Sequence, residues 1–125
     1  MSGRNLFKLP AILFLLATVG TQISHATPVE SLSVNFGNVR VNTRTELSYI
    51  ITNDQTVPWK MTAFNIGGAG YDAQTDCDQL LAPKQKCRVD ISFWPLMQGF
   101  QTGELILRFD KSEVDFDLAG WGSNF

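Results

Sequence analysis

The chain has 125 residues, which is the size of one ordinary domain. Apolar residues make up 44% of the sequence and charged residues 18%, a composition typical of a globular protein and not of a disordered one. Acidic residues outnumber basic ones, and the small basic cluster of Lys84, Lys86 and Arg88 has acidic neighbours, so the charge does not favour binding to nucleic acid.

Residues 1–26 have the pattern of a signal peptide. Two basic residues precede an apolar run over residues 9–19, and Ser24 and Ala26 place small side chains where signal peptidase requires them. The run is shorter than the about 20 residues that cross a bilayer. We therefore expect cleavage after Ala26 and a processed domain over residues 27–125, located in the periplasm or secreted, with no membrane span. The alternative is an uncleaved anchoring helix.

Cleavage removes the only histidine, His25, and leaves eight basic against twelve acidic residues, a net charge of −4. Without histidine the processed chain cannot form a Ser-His-Asp or Cys-His unit. It also lacks the ligands of a zinc site, since only two cysteines are present. We expect no enzyme activity, no catalytic residue, no metal site and no cofactor. The alternative of a calcium site at Asp72, Asp76 and Asp78 is weakened by spacing that matches no calcium loop.

Cys77 and Cys87 are the only cysteines in the sequence. In an oxidising compartment they are expected to form a disulfide bond with each other. The alternative is a pair of free buried thiols.

After residue 27 short apolar runs alternate with turn residues, without helical periodicity, which is typical of a sandwich or barrel. The first predicted strand, 33–36, ends at Gly37. The second, 46–52, has apolar residues on both faces, as a central strand does. The third spans 59–66, and a long loop is predicted over 71–86.

The alternation is clearest in the second half of the chain. The strand 87–94 has Val89 and Phe93 on its inward face, which places Trp94 on the outward face. Strands over 104–109 and 113–118 then form a hairpin. With about seven strands, the sequence predicts an all-β, immunoglobulin-like antiparallel β-sandwich.

Three carboxylates recur at every second position of the last strand, at Glu113, Asp115 and Asp117. This spacing places them on one outward face. They could act as acid and base, but the simpler interpretation is that their charge keeps neighbouring molecules from pairing. Arg108 on the adjoining strand is expected to lie opposite and to offset part of the repulsion.

Short motifs along the chain carry a resemblance to a known family. In order they are Phe36-Gly37-Asn38-Val39, Ile51-Thr52-Asn53, Cys77, Leu81-Ala82-Pro83, Cys87, Ile91-Ser92-Phe93-Trp94-Pro95, Gly99, Gly103-Glu104-Leu105 and Leu118-Ala119-Gly120-Trp121-Gly122. The chain resembles the ASH-like domains, which are immunoglobulin-like modules related to major sperm protein and to pilus-chaperone domains, and which occur in exported bacterial proteins. The resemblance implies a scaffolding or adhesive role without enzyme activity.

Four aromatic residues are candidates for contact with a partner: Trp59, Trp94, Trp121 and Tyr71. Exposed aromatic rings anchor protein partners or stack on sugar rings, and the alternative for each is that it plugs an end of the sandwich. The segment 33–41 is a candidate edge for addition of a partner strand. The sequence thus predicts a non-catalytic module that binds a protein. The alternative is a module that binds a glycan or the cell wall through exposed Trp residues.

Overall fold

The computed structural model describes residues 28–124, and the predicted signal peptide lies outside them. These residues form seven strands: β1 (Val29–Arg40), β2 (Thr45–Thr52), β3 (Met61–Gly67), β4 (Tyr71–Thr75), β5 (Lys86–Phe93), β6 (Gly99–Phe109) and β7 (Glu113–Ser123). Over this part of the chain no helix is long and apolar enough to cross a membrane.

The strands form two sheets that pack face to face. One sheet has four strands in the order β1-β7-β6-β3, and the other has three in the order β2-β5-β4. Neighbouring strands run antiparallel except β1 and β7, which pair in parallel with Val29 opposite Glu113. The predicted immunoglobulin-like β-sandwich is confirmed.

The core lies between the inward faces of the two sheets. On β5 every second side chain is fully buried, and the same holds for the middle of β6 and β7. The residues with 0% exposure on these strands are Val89, Ile91, Phe93, Leu105, Leu107 and Phe116. Full burial of one such side chain contributes about 1.5–3 kcal/mol to the hydrophobic term. The alternation of apolar and polar residues therefore determines which face of each sheet lies toward the core.

A disulfide bond joins Cys77, just after β4, to Cys87 on β5. Both cysteines are buried. The residues just before Cys77 are also bonded to β5: the Asp76 carboxylate accepts the N–H of Arg88 at 2.7 Å, and the Thr75 hydroxyl donates to the Arg88 carbonyl at 2.7 Å. The predicted pairing of the two cysteines is confirmed.

Three elements differ from the sequence-based expectation. β1 continues through Gly37, because a bulge between Asn35 and Asn38 accommodates the positive φ of this glycine. β2 is an edge strand, not a central one, since it pairs only with β5. The predicted loop over 71–86 begins with β4, whose sequence offers only Tyr71 and Ala73 as apolar residues facing the core.

Candidate partner-binding surface

Phe100 and Trp121 form an exposed aromatic pair on the outer face of the four-stranded sheet. They are directly opposite each other in the β6–β7 register, and their ring centroids are 4.4 Å apart. Phe100 is 54% exposed and Trp121 is 44% exposed. Trp121 points outward because its neighbours Gly120 and Gly122 occupy the buried, inward positions of the strand.

The loop between β5 and β6 adds two apolar side chains at the same end of the sandwich. Leu96 is 67% exposed and Met97 is 61% exposed. The Met97 carbonyl lies over Gly122 and accepts a 2.9 Å hydrogen bond from the Gln101 side chain. The loop is thus held against the strand ends that carry the aromatic pair. We call Leu96, Met97, Phe100 and Trp121 the aromatic patch.

Trp94 is also exposed, to 50%, as the alternation along β5 predicts. Its backbone N–H donates to the Gly70 carbonyl at 2.7 Å, which fixes the start of the same loop. Trp94 and Trp121 therefore remain candidates for contact with a partner.

Trp59 and Tyr71, the other two aromatic candidates, are buried in the sandwich. Trp59 is 3% exposed, and its ring packs 5.2 Å from that of Phe109. Tyr71 is 8% exposed and stacks on Phe93 at 4.6 Å. The Tyr71 hydroxyl donates to the Gln101 carbonyl at 3.0 Å, and burial raises the pKa of Tyr71 to about 12. These buried rings close the two ends of the core, as the alternative interpretation predicts. Their positions therefore do not favour contact with a partner.

The carboxylates predicted on β7 lie on the same outer face as the aromatic pair, nearer the other end of the sheet. Arg108 Nε donates to Glu113 Oε1 at 2.8 Å, as the hairpin register predicts, and this contact lowers the pKa of Glu113. Asp115 lies beside them with one carboxylate oxygen, Oδ1, buried and without a hydrogen-bond partner. Burial first, and then the neighbouring Glu113, raise the pKa of Asp115. This end of the face carries excess negative charge.

The carboxylates of the predicted loop do not converge on a metal site. Asp72 Oδ1 accepts the N–H of Ala73 at 2.8 Å, and Asp76 bonds to β5. Within residues 28–124, the one group of three potential ligands consists of Asp76 and the two cysteines, whose sulfurs are already joined to each other. The calcium alternative therefore finds no support in this loop.

Phe100 is the main surface residue that the sequence analysis missed. With Leu105 and Leu107 facing inward, every even position of β6 faces outward, including Phe100. A hairpin turn at residues 110–112 then places Phe100 opposite Trp121. The alternation of inward and outward residues, extended back from Glu104, would have identified Phe100, but the predicted strand begins at Glu104.

Neither a family model nor a curated protein matches the sequence. Solved structures with a similar fold include the VesB protease of Vibrio cholerae, with a TM-score of 0.60 and 15% identity over 73% of this chain. A protein of unknown function from Porphyromonas gingivalis W83 has a TM-score of 0.61 and 11% identity over 90% of this chain. An ASH/PapD-like domain of human CEP192 has a TM-score of 0.55 and 16% identity over 86% of this chain.

The extent of the match differs among these structures. The chain spans 30% of the VesB chain, 53% of the P. gingivalis chain and 97% of the CEP192 domain. At these identities the likeness shows a shared immunoglobulin-like fold.

Proposed function

We propose that this chain is an exported, non-catalytic interaction module of the ASH-like type that binds a protein partner through the aromatic patch. The observation that carries the proposal is the exposure of Phe100 and Trp121 beside Leu96 and Met97. Large apolar and aromatic side chains grouped at one end of a small domain are typical of protein-binding sites, where such rings contribute much of the affinity.

Two features of the chain and one of a structural neighbour support an exported location. The Cys77–Cys87 disulfide bond indicates an oxidising compartment, and residues 1–26 have the pattern of a signal peptide. The VesC protease of V. cholerae, whose fold matches over 67% of this chain with a TM-score of 0.50 and 17% identity, is described as secreted. The periplasm or the cell exterior is therefore the proposed location.

A role without catalysis agrees with the residues present. The matched part is 30% of VesB and 21% of VesC, and residues 27–125 of this chain contain no histidine for a serine-protease triad. The resemblance to ASH-like domains favours the same role, because the CEP192 domain matches over nearly its whole length. The net charge of −4 after residue 26 favours a protein over a nucleic acid as the partner.

Copurification tests the proposal. The full-length sequence is expressed with an affinity tag in its host, and the recovered protein is compared with Phe100→Ala, Trp121→Ala and the double variant. Leu80→Ala is the matched control, because Leu80 is 63% exposed but lies next to Leu81, which pairs with Trp59 at the opposite end of the sandwich. A partner that the patch variants lose and the control retains supports the proposal. Equal recovery of that partner by all variants contradicts it.

A glycan or cell-wall fragment is the alternative ligand, because the same exposed rings of Trp94 and Trp121 are suited to stacking on sugars. Titration of tryptophan fluorescence with soluble glycans and peptidoglycan fragments separates the two functions. A saturable change that Trp121→Phe weakens and Trp121→Ala abolishes favours the glycan. An unchanged spectrum across the panel leaves the protein partner as the preferred ligand.

A further inference from the structure

Three of the four strand edges in the sandwich carry features that obstruct pairing with another strand. β1, the edge predicted to accept a partner strand, is broken by the bulge at 35–38, where the Asn35 side chain accepts the N–H of Gly37 at 2.8 Å. β3 has an irregular register at 61–63. β4 has only five residues, and its Ala73 N–H is already bonded to the Asp72 side chain. Bulges, short strands and occupied amides are common protections of edges.

The edge of β2 has none of these features. Its residues Thr45–Thr52 pair with β5 in an unbroken register and include neither Gly nor Pro. Among the described residues, no side chain bonds to the backbone of β2. Every second N–H and C=O of this strand therefore points away from β5, toward an open flank.

Apolar side chains on β2 remain incompletely covered at this edge. Leu47 and Tyr49 face the core but are only half-buried, whereas their neighbours Val89 and Ile91 on β5 are completely buried. On the outer face Ile50 is 60% exposed. A further strand beside β2 would bury these groups while pairing the open backbone.

We propose that the β2 edge is covered by a second copy of this chain, with the two β2 strands antiparallel about a twofold axis at Tyr49. The two three-stranded sheets then become one sheet of six strands in the order β4-β5-β2-β2-β5-β4. This contact lies apart from the aromatic patch and does not depend on its function.

Charge favours this register over the neighbouring one centred on Ile50. The cores of both copies must lie on the same side of the sheet, so odd positions pair with odd and even with even. With Tyr49 opposite its counterpart, Arg44 lies opposite Asp54 of the second copy. The other pairs are Leu47 with Ile51, Ser48 with Ile50 and Glu46 with Thr52. Centring the contact on Ile50 would place Glu46 opposite Asp54, and the like charges would repel.

The location of the carboxylates also favours this edge for self-association. A net charge of −4 opposes contact between two copies in general. However, the dense carboxylates lie on the outer face of the other sheet, at Glu104, Glu113, Asp115 and Asp117. On β2 the one charged residue is Glu46, which forms an ion pair with Arg44 at 3.2 Å. Two copies therefore meet here with little repulsion.

Sedimentation velocity on the protein recovered from full-length expression tests the proposal. From about 1 µM to about 1 mM the wild type is expected to shift from the mass of one copy toward that of two. Ile50→Lys places two ammonium groups at diagonal positions across the axis and is expected to weaken association at least tenfold. The matched control Leu80→Lys removes an equally exposed residue elsewhere and is expected to leave it unchanged. A wild type that stays monomeric, or an Ile50→Lys variant that dimerises normally, overturns the proposal.

Two measurements test the register and the separation from the aromatic patch. Amide hydrogen exchange of the wild type should slow in residues 45–52 as concentration rises, and Tyr49→Cys should form a disulfide between copies while Ser48→Cys does not. Exchange that is independent of concentration contradicts the proposal, as does the reverse cross-linking pattern. Trp121→Ala should still dimerise, so loss of partner binding and loss of dimerisation are distinguishable.

Discussion

Phe100 and Trp121 contact each other across the β6–β7 pair while both rings remain about half exposed. Such a pair contributes about 0.5–1.5 kcal/mol beyond its buried area. We therefore expect Phe100→Ala and Trp121→Ala each to lower the free energy of unfolding by about 1 kcal/mol, and the double variant to lose less than the sum. Urea unfolding measures these values. A loss above about 3 kcal/mol for either single variant would mean that the pair supports the core.

Gly122→Ala is expected to displace the loop that carries Leu96 and Met97. A Cβ at this position would collide with the Met97 carbonyl, so the loop must move. We expect a loss of about 2 kcal/mol or more in thermal unfolding, together with weaker partner binding. Gly67→Ala is the control, because a Cβ there meets no atom within 4 Å. Equal melting temperatures for the two variants would contradict the described packing.

Much of the fold follows from a period of two in the sequence. In β5 and β7, and in β6 from Gly103 onward, each inward position carries an apolar residue or a glycine, so the sequence alone distinguishes the inward from the outward face. The same alternation predicts an outward position for Trp94, and Trp94 is exposed. The pairing of Arg108 with Glu113 also followed, because a short hairpin turn fixes the register of its two strands.

The burial of Trp59 and Tyr71 could not be predicted in this way. Tyr71 packs over Gly103, where a Cβ would lie 2.6 Å from the ring, and Trp59 pairs with Leu81. Each contact joins segments more than 20 residues apart in the sequence. Local alternation indicates which side of a strand a residue occupies, but not what covers it. Nor does local alternation show that β2 is an edge strand, because this depends on β1 pairing with β7 in the other sheet.

Asn53, which follows the last residue of β2, is fully buried and organises the end of the sandwich near Trp59. Its side-chain amide donates to the carbonyls of Val57 and Leu81 at 2.8 and 2.9 Å, and its Oδ1 accepts the N–H of Gln55 at 2.9 Å. Asn53→Ala leaves these buried groups unpaired, and we expect a loss of about 3 kcal/mol in urea unfolding.

Asn65→Ala is the control for this substitution, because Asn65 is exposed on β3. It should change the free energy of unfolding by no more than about 0.5 kcal/mol. A similarly small effect of Asn53→Ala would show that water replaces the lost hydrogen bonds.

Reduction of the Cys77–Cys87 bond is expected to lower the melting temperature. The bond closes a loop with a sequence separation of 10 residues, and the loss of such a constraint on the unfolded chain costs about 3 kcal/mol in the chain-entropy model. For a domain of this size we expect a shift of about 10 °C or more. The Cys77→Ala, Cys87→Ala double variant should melt at the same temperature with and without reductant. A wild type insensitive to strong reductant would show that the bond adds little.

Asp115→Asn is expected to stabilise the protein at neutral pH. The pKa of Asp115 is raised in the folded state by burial and by Glu113, so the folded state holds this proton more tightly than the unfolded state does. Stability from this group is therefore fully present below its unfolded pKa and is lost as the pH rises through the folded value. Asparagine keeps the position neutral at every pH, and its amide can donate to Glu113.

We expect the free energy of unfolding at pH 7, measured in urea, to increase by no more than about 1 kcal/mol. The increase is small because the site is partly exposed and solvent screens the charge on Asp115. The gain should shrink toward zero near pH 3, where the wild-type carboxyl is itself protonated. Asp117→Asn, on the same face but more exposed, is the control and should change stability less. A gain from Asp115→Asn that is the same at both pH values would show that packing, and not the proton, causes it.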